Sequence, residues 1–190
     1  MGDQRILIAG IGNIFLGDDA FGVEVAQRLL QRTWPEGVHV TDFGIRGFDL
    51  AYALGDGYDV AILVDALFRG EPPGTLYVIE PDLNELNSIE AVEIETHGMD
   101  PVKVLHLAQT LGGQPGRVLV VGCEPATLNA DEDGNMALSA PVQASLDEAV
   151  RMVEELIQKI RTESVVGTQQ AATVSVPVSG APTNDEASYA

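Results

Sequence analysis

The chain has 190 residues, of which 45% are apolar and 21% charged, a composition typical of a globular protein with a sizeable core. Its 29 acidic residues outnumber 10 basic ones, and the formal net charge of −19 disfavours binding to nucleic acids and anionic membranes, which are polyanions. No segment reaches the roughly 18 consecutive apolar residues of a membrane span, and no signal-peptide pattern opens the sequence, so a cytoplasmic location is expected.

Short β-branched runs alternate with helical patterns, which is typical of a largely parallel sheet covered by helices on both faces. The predicted strands are Arg5–Gly10, Val38–Phe43, Asp59–Val64, Thr75–Ile79 and Arg117–Gly122. The predicted helices are Ala20–Gln31, Phe48–Leu54, one that begins at Pro101, and Ala140–Arg161. The Pro- and Gly-rich turn EPPGT predicts that the fourth strand returns antiparallel. The sequence therefore predicts an α/β fold, a three-layer α/β/α sandwich around a twisted, mostly parallel five-stranded sheet.

Apolar residues at helical spacing assign a buried face to each of the longer helices. The residues expected to face the sheet are Phe21, Val25, Ala26, Leu29 and Leu30 in the first helix, Val104, Leu105, Ala108 and Leu111 in the third, and Val142, Leu146, Val150, Val153 and Ile157 in the fourth. The single cysteine, Cys123, ends the apolar run RVLVVGC and is expected to be a buried strand residue rather than a nucleophile.

The composition changes at Thr162, where Ser, Thr, Ala, Gly and Pro become frequent and basic residues disappear. Such a segment is typical of disorder, because it cannot bury enough apolar surface to offset the chain entropy lost on folding. We therefore expect one folded domain over residues 1–161, followed by a disordered low-complexity tail over residues 162–190.

Acidic residues follow three of the predicted parallel strands. Asp18 and Asp19 follow the first strand, Asp42 ends the second, Asp65 ends the third, and His97 lies in the loop THGMDP before the third helix. Ligands of open parallel sheets bind beyond the carboxyl ends of the strands, so these side chains are expected to converge on one edge. Carboxylates with a neutral imidazole suit divalent nickel, zinc or iron, among which the sequence does not choose.

Each of these residues also has an ordinary structural interpretation. Asp18 is placed to be the N-cap of the first helix, Asp19 to interact with its dipole, and Asp42 to order the glycine-rich turn DFGIRG. Asp65 ends an apolar strand, where an unpaired carboxylate is costly to desolvate. A lone histidine is more often structural than a ligand, but the loop around His97 leaves its imidazole free to coordinate.

Glycines at Gly10, Gly12 and Gly17 raise the alternative of a dinucleotide-binding fold. The pattern G-x-G-x-x-G requires a third glycine where this chain has Phe15. A pyrophosphate would also face two aspartates at the start of the helix, where such sites normally offer unopposed N–H groups. The loop therefore favours a cation over a phosphate.

Four segments, GIGNIFLGDDAFG, DFGIRG, LVDAL and THGMDP, occur in this order and spacing. Together they closely resemble the nickel-iron hydrogenase maturation endopeptidases, with motifs over about Ile6 to Leu128 and the architecture over residues 1–161. The resemblance implies a cytoplasmic endopeptidase that removes the C-terminal extension of a hydrogenase large-subunit precursor after nickel insertion, and so activates the hydrogenase. The family is conventionally grouped with aspartic-type peptidases, although the D-T-G signature of classical aspartic proteases is absent from this sequence.

The resemblance also implies roles for individual residues. The positions that match the family's metal ligands are Asp19, Asp65 and His97. Asp19 stands where the family often has glutamate. Asp42 matches an aspartate that bears on substrate or catalysis, and the residues of the same loop expected to bind substrate are Gly44, Arg46 and Gly47. Nickel would arrive with the precursor, and no organic cofactor is implied.

Two other functions are open at this point. One is a nucleotide- or nucleoside-binding α/β enzyme, which a rise in melting temperature with a nucleotide but not with nickel would favour. The other is a non-catalytic chaperone of the metal-loaded precursor, which would form a stable complex and release no product.

Overall fold

The structure, a computed structural model, describes residues 4–83, 101–113, 116–128 and 136–171. The strands are β1 (Ile6–Ile11), β2 (Val38–Gly44), β3 (Val60–Ala66), β4 (Leu76–Ile79) and β5 (Arg117–Cys123). The helices are α1 (Phe21–Leu30), α2 (Gly47–Leu54), α3 (Pro101–Thr110) and α4 (Ala140–Ala171), and a 3₁₀ turn (Gly17–Ala20) directly precedes α1.

The five strands form one sheet in the order β2-β1-β3-β5-β4. β1 pairs in parallel with both β2 and β3, and β3 pairs in parallel with β5. β4 pairs antiparallel with β5 and forms one edge of the sheet. The predicted α/β fold is confirmed, including the antiparallel fourth strand.

Side chains of successive strand residues point to opposite faces of the sheet and form two separate cores. Ile6 and Ile8 of β1 belong to the core beneath α1 and α4, which also contains the buried side chains Val25 and Leu146. The opposite core lies beneath α2 and α3 and comprises, among others, Leu7, Ala9, Leu50, Leu54 and Leu105. The sheet is thus the middle layer of three, and both of its faces are apolar because both are covered.

The predicted buried faces are largely confirmed, with two errors at helix ends. Leu30 is 46% exposed and Leu111 is 43% exposed, because each lies at or past the last turn of its helix, beyond the sheet. All five core positions predicted for α4 are buried. Cys123 is buried at the end of β5, as expected, and burial raises the pKa of its thiol.

The end predicted for α4 at Arg161 is wrong, since the helix continues to Ala171. Glu163 forms ion pairs with Arg117 of β5 at 3.3 Å and with Lys159 at 4.0 Å, and the Thr162 hydroxyl donates to the Gln158 carbonyl oxygen at 2.8 Å. These contacts lie in the first turn past the predicted boundary. The rest of the predicted tail, residues 172–190, lies outside the described residues, and the division into a domain and a disordered tail stays a prediction.

The strand order reverses direction at β1. From β1 the chain crosses to β2 on one side, and from β2 it returns past β1 to β3 on the other. Such a reversal opens a crevice beyond the carboxyl ends of the two central strands, where ligands of open α/β sheets bind. The crevice of this sheet therefore lies beyond Ile11 of β1 and Ala66 of β3. In the part of the chain that the structure describes, no helix combines the length and hydropathy needed to cross a membrane.

Candidate functional site

Close backbone packing brings the start of α1 against the ends of the central strands. Gly22, in the first turn of α1, has no room for a side chain, since a Cβ there would overlap the carbonyl oxygens of Ile11 and Val64. The 3₁₀ turn that carries Asp19 is held next to β3 in consequence. Glycine at this position thus sets the approach of the first loop to the end of β3.

The loop between β1 and the 3₁₀ turn is fixed by backbone hydrogen bonds. The Gly12 N–H donates to the Gly44 carbonyl oxygen at 3.1 Å, and the Asn13 N–H donates to Oδ2 of Asp19 at 2.8 Å. Gly12 has a φ of 135°, and a Cβ on this residue would overlap the Asp19 carbonyl oxygen. Only glycine therefore fits between the first strand and the Asp19 backbone.

Asp19 is a partly buried carboxylate at the mouth of the crevice. Burial raises its pKa above the ordinary value, and the hydrogen bond from the Asn13 N–H lowers it in part. A carboxylate that has lost water gains from a nearby cation, which replaces the lost solvation. The electrostatics of Asp19 thus suit the metal-ligand role that its sequence position suggests.

Asp65 is the second-last residue of β3 and lies opposite Gly122 of β5. Its side chain is only 2% exposed, and Oδ1 accepts a hydrogen bond from the Ala66 N–H at 2.8 Å. The sequence predicts that burying a carboxylate at this position costs free energy unless the carboxylate is paired. The structure places Asp65 near the crevice end of β3, a strand whose residues are all buried.

Asp18 has a different role from the N-cap that its position predicts. The residues that precede the 3₁₀ turn and α1 make no side-chain capping bond. Instead the fully buried Asp18 carboxylate accepts hydrogen bonds from the backbone N–H groups of Ala126 at 2.8 Å, Thr127 at 3.3 Å and Ser139 at 2.6 Å, and from the Ser139 hydroxyl at 2.9 Å. It therefore ties the first loop to the segment after β5 and to the start of α4.

Asp42 lies at the end of β2, where the register with β1 shifts between Gly10 and Ile11. Its Oδ2 accepts a hydrogen bond from Nε2 of Gln27, an exposed residue of α1, at 2.8 Å. Sequence reasoning missed Gln27, because its partner lies 15 residues away and Gln27 occupies an ordinary polar position of the helix. The register shift and the glutamine together orient the Asp42 carboxylate.

The loop after Asp42 is held by its own arginine. The Arg46 guanidinium donates to the carbonyl oxygen of Phe43 at 3.1 Å and to that of Asp42, and it lies 3.7 Å from a carboxylate oxygen of Asp49. Gly44 has a φ of 53°, which favours glycine. The Gly47 N–H donates to the Ile45 carbonyl oxygen at 3.1 Å. The substrate-binding role of Gly44, Arg46 and Gly47 stays a prediction, while the contacts give Arg46 a part in fixing the loop.

The segment GCEP, Gly122 to Pro125, spans the end of β5 and has a structural role that the sequence does not reveal. Glu124 is 3% exposed, and its carboxylate accepts hydrogen bonds from the N–H groups of Arg69 at 2.7 Å and Gly70 at 3.2 Å. A Cβ on Gly122 would overlap the ring of Tyr77, whose hydroxyl donates to the Leu67 carbonyl oxygen. Burial and the nearby Glu124 raise the pKa of Tyr77 to about 12. These contacts fix the loop that follows Asp65.

The third predicted metal ligand, His97, lies outside the described residues. Among the residues that are described, no three histidine, cysteine or acidic side chains are grouped closely enough to hold a metal ion. The fold thus brings the Asp19 loop and Asp65 to one crevice and places Asp42 at the carboxyl end of the neighbouring strand. The complete metal-ligand set stays a prediction.

Comparison with known proteins gives a consistent picture. A family model described as hydrogenase maturation protease, HycI, matches residues 23–156, a range that includes Asp42, Asp65 and His97 and begins just after Asp19. The chain is 34% identical over 154 residues to the hydrogenase expression/formation protein HoxM of Azotobacter vinelandii, covering 80% of this chain and 72% of that protein. It is 30% identical over 189 residues to HupD of Thiocapsa roseopersicina, covering 98% of this chain and 82% of that protein.

Solved structures give the same result. The hydrogenase maturating endopeptidase HybD from E. coli superimposes with a TM-score of 0.64 at 26% identity, over 82% of this chain and 93% of that one. A hydrogenase 2 maturation peptidase from a Thaumarchaeota archaeon superimposes with a TM-score of 0.61 at 30% identity, over 82% of this chain and 99% of that one.

Proposed function

Because this chain belongs to the hydrogenase maturation protease family, we propose that it removes the C-terminal extension of a nickel-loaded hydrogenase large-subunit precursor. The observation that carries the proposal is the crevice beyond β1 and β3, where the 3₁₀ turn of Asp19 lies next to the strand that carries Asp65. The cut takes place in the cytoplasm, as the sequence resemblance implies. Nickel is cargo of the precursor in this proposal.

The proposed role of the crevice is to recognise the metal held by the precursor. Asp19, Asp65 and His97 would contact the nickel while the precursor's own residues keep it bound. Support comes from the two carboxylates that the structure describes, since a partly or fully desolvated carboxylate favours a cation as its partner. Open sites of carboxylates and imidazole suit nickel and leave positions for the substrate's ligands.

Asp42 is the proposed general base for hydrolysis. A water molecule attacks the carbonyl carbon of the scissile peptide bond and gives a proton to the Asp42 carboxylate. The C–N bond then breaks, and Asp42 passes this proton to the amine of the released extension, which restores the carboxylate. The hydrogen bond from Gln27 to Oδ2 supports this role, since it orients the carboxylate without covering both of its oxygens.

The test is intact-mass spectrometry of a large-subunit precursor, nickel-loaded or nickel-free, after incubation with this protein. We expect loss of a C-terminal peptide from the nickel-loaded sample alone. A stable complex without any loss of mass would instead indicate a chaperone. Cleavage that is independent of nickel would contradict the proposed recognition of the metal in the crevice. Full processing by both Asp19→Ala and His97→Ala would contradict it as well.

The substitution Gln27→Ala is expected to lower kcat for precursor cleavage about tenfold, because it releases the carboxylate that Gln27 orients. Gln27 is exposed, so the melting temperature should not change measurably. Gln158→Ala, at an exposed position of α4, is the matched control and should keep full activity. Equal kcat values for the two variants would remove Gln27 from the proposed mechanism.

A further inference from the structure

Large apolar side chains are exposed on the two loops that border the candidate site. Ile14 and Phe15, after β1, are 51% and 60% exposed, and Ile45, after β2, is 64% exposed. They surround a pocket of about 300 Å³, whose wall also contains Phe43 and Asp42. Isolated exposed apolar residues are ordinary, but a cluster around a concave site is typical of a binding surface.

The two loops are held in place before any ligand arrives. The Gly12 N–H donates to the Gly44 carbonyl oxygen at 3.1 Å and joins one loop to the other. The Phe15 N–H donates to Oδ1 of Asn13 at 3.0 Å, and the Arg46 guanidinium bonds to the Phe43 carbonyl oxygen at 3.1 Å. A preformed pocket loses little entropy on binding, so its apolar walls contribute directly to affinity.

The chemistry of the walls indicates the kind of ligand. Most of the lining is apolar, which favours a hydrocarbon side chain over a charged group. The wall contains one carboxylate, Asp42, and one guanidinium, Arg46, which already bonds to the carbonyl oxygens of Asp42 and Phe43 and lies near Asp49. The wall therefore offers no unopposed positive charge to an anion, and the net charge of −19 repels one. A volume of about 300 Å³ admits one large side chain with a short length of backbone.

We propose that this pocket receives a large apolar side chain of the precursor's C-terminal segment, next to the bond that is cut. This inference rests on the proposed function and adds a specificity determinant to it. The side chain enters between Phe15 and Ile45, and its backbone then runs past the Asp42 carboxylate. The apolar rim, formed by Ile14, Phe15 and Ile45, thus selects the segment. The crevice beyond β3 recognises the metal.

The experiment measures KM and kcat for cleavage of a nickel-loaded precursor by the wild-type protein and by Ile45→Asp. We expect a rise in KM of about tenfold or more with kcat nearly unchanged, because an apolar contact used in binding is lost. Leu30→Asp is the matched control, since Leu30 is 46% exposed and lies at the far end of α1. Phe15→Ser is a second rim variant with the same expected rise, and circular dichroism checks the fold of each.

A complementary series replaces, one at a time, the apolar residues near the cut in the precursor by serine. One of these replacements should raise KM for the wild type and have little further effect with Ile45→Asp. If the wild type cleaves and all rim and control variants share its KM, the inference is wrong and the proposed function stands. If gel filtration finds a wild-type dimer that Ile45→Asp dissociates without a change in KM, the rim is a self-association surface. If the wild type cleaves nothing, the proposed function fails and the inference with it.

Discussion

Replacing Gly12 with alanine is expected to lower the free energy of unfolding by about 3 kcal/mol or more and to slow precursor cleavage at least about a hundredfold. The added methyl group would overlap the Asp19 carbonyl oxygen, and the φ of 135° is one that residues with a Cβ rarely adopt. The backbone of Asp19 must move to relieve the overlap. The carboxylate then leaves the position set by the Asn13 N–H.

Urea unfolding measures the loss of stability, and mass spectrometry of the nickel-loaded precursor measures the loss of activity. The matched control is Gly112→Ala, since Gly112 has a φ of 82° but a Cβ there would meet nothing within 4 Å. The control should lose about 1 kcal/mol from backbone strain and keep its activity. Equal losses in the two variants would mean that strain, rather than contact with Asp19, decides the effect.

Replacing Asp18 with asparagine is expected to cost about 3 kcal/mol of stability. The fully buried carboxylate accepts hydrogen bonds from three backbone N–H groups and one hydroxyl, through both of its oxygens. An amide retains one acceptor oxygen and turns an NH₂ group toward a donor. Buried donors without acceptors are costly, and hydrogen bonds to a charged group are among the stronger ones.

Thermal and urea unfolding of Asp18→Asn test this expectation. Asp147→Asn is the control, because Asp147 is 81% exposed and its ion pair with Arg28 lies at the surface. Exposed pairs contribute little, so the control should change stability by less than about 1 kcal/mol. A loss of similar size in both variants would contradict the structural role assigned to the Asp18 carboxylate.

The order of the strands and helices along the chain could be predicted because the spacing of apolar residues within each segment indicates its secondary structure. β1 is a continuous apolar run, β3 is apolar except for Asp65, and α4 repeats its apolar residues at helical spacing up to Ile160. The position of the Asp19 turn beside β3 followed from a general rule about the carboxyl ends of parallel strands, combined with the predicted strand ends.

Features that depend on distant partners could not be predicted. The Asp18 carboxylate bonds to groups 108 to 121 residues away, so local capping statistics assigned it the wrong role. α4 continues past its predicted end, and just beyond that end Glu163 pairs with Arg117 of β5, which lies 46 residues away in sequence. The apolar rim was missed because Ile14, Phe15 and Ile45 lie in loops without periodicity, where only the fold shows that two loops meet.

The position of the Asp18 partners links the candidate site to segments that are synthesised later. Ser139 emerges from the ribosome 121 residues after Asp18, and contacts so distant in sequence form slowly because a long loop must first close. A nascent chain that ends before β5 carries the first loop and Asp19, but none of the groups that hold Asp18. The geometry of the first loop is therefore complete only after β5 and the start of α4 have docked, which delays a working site until these later elements have been made.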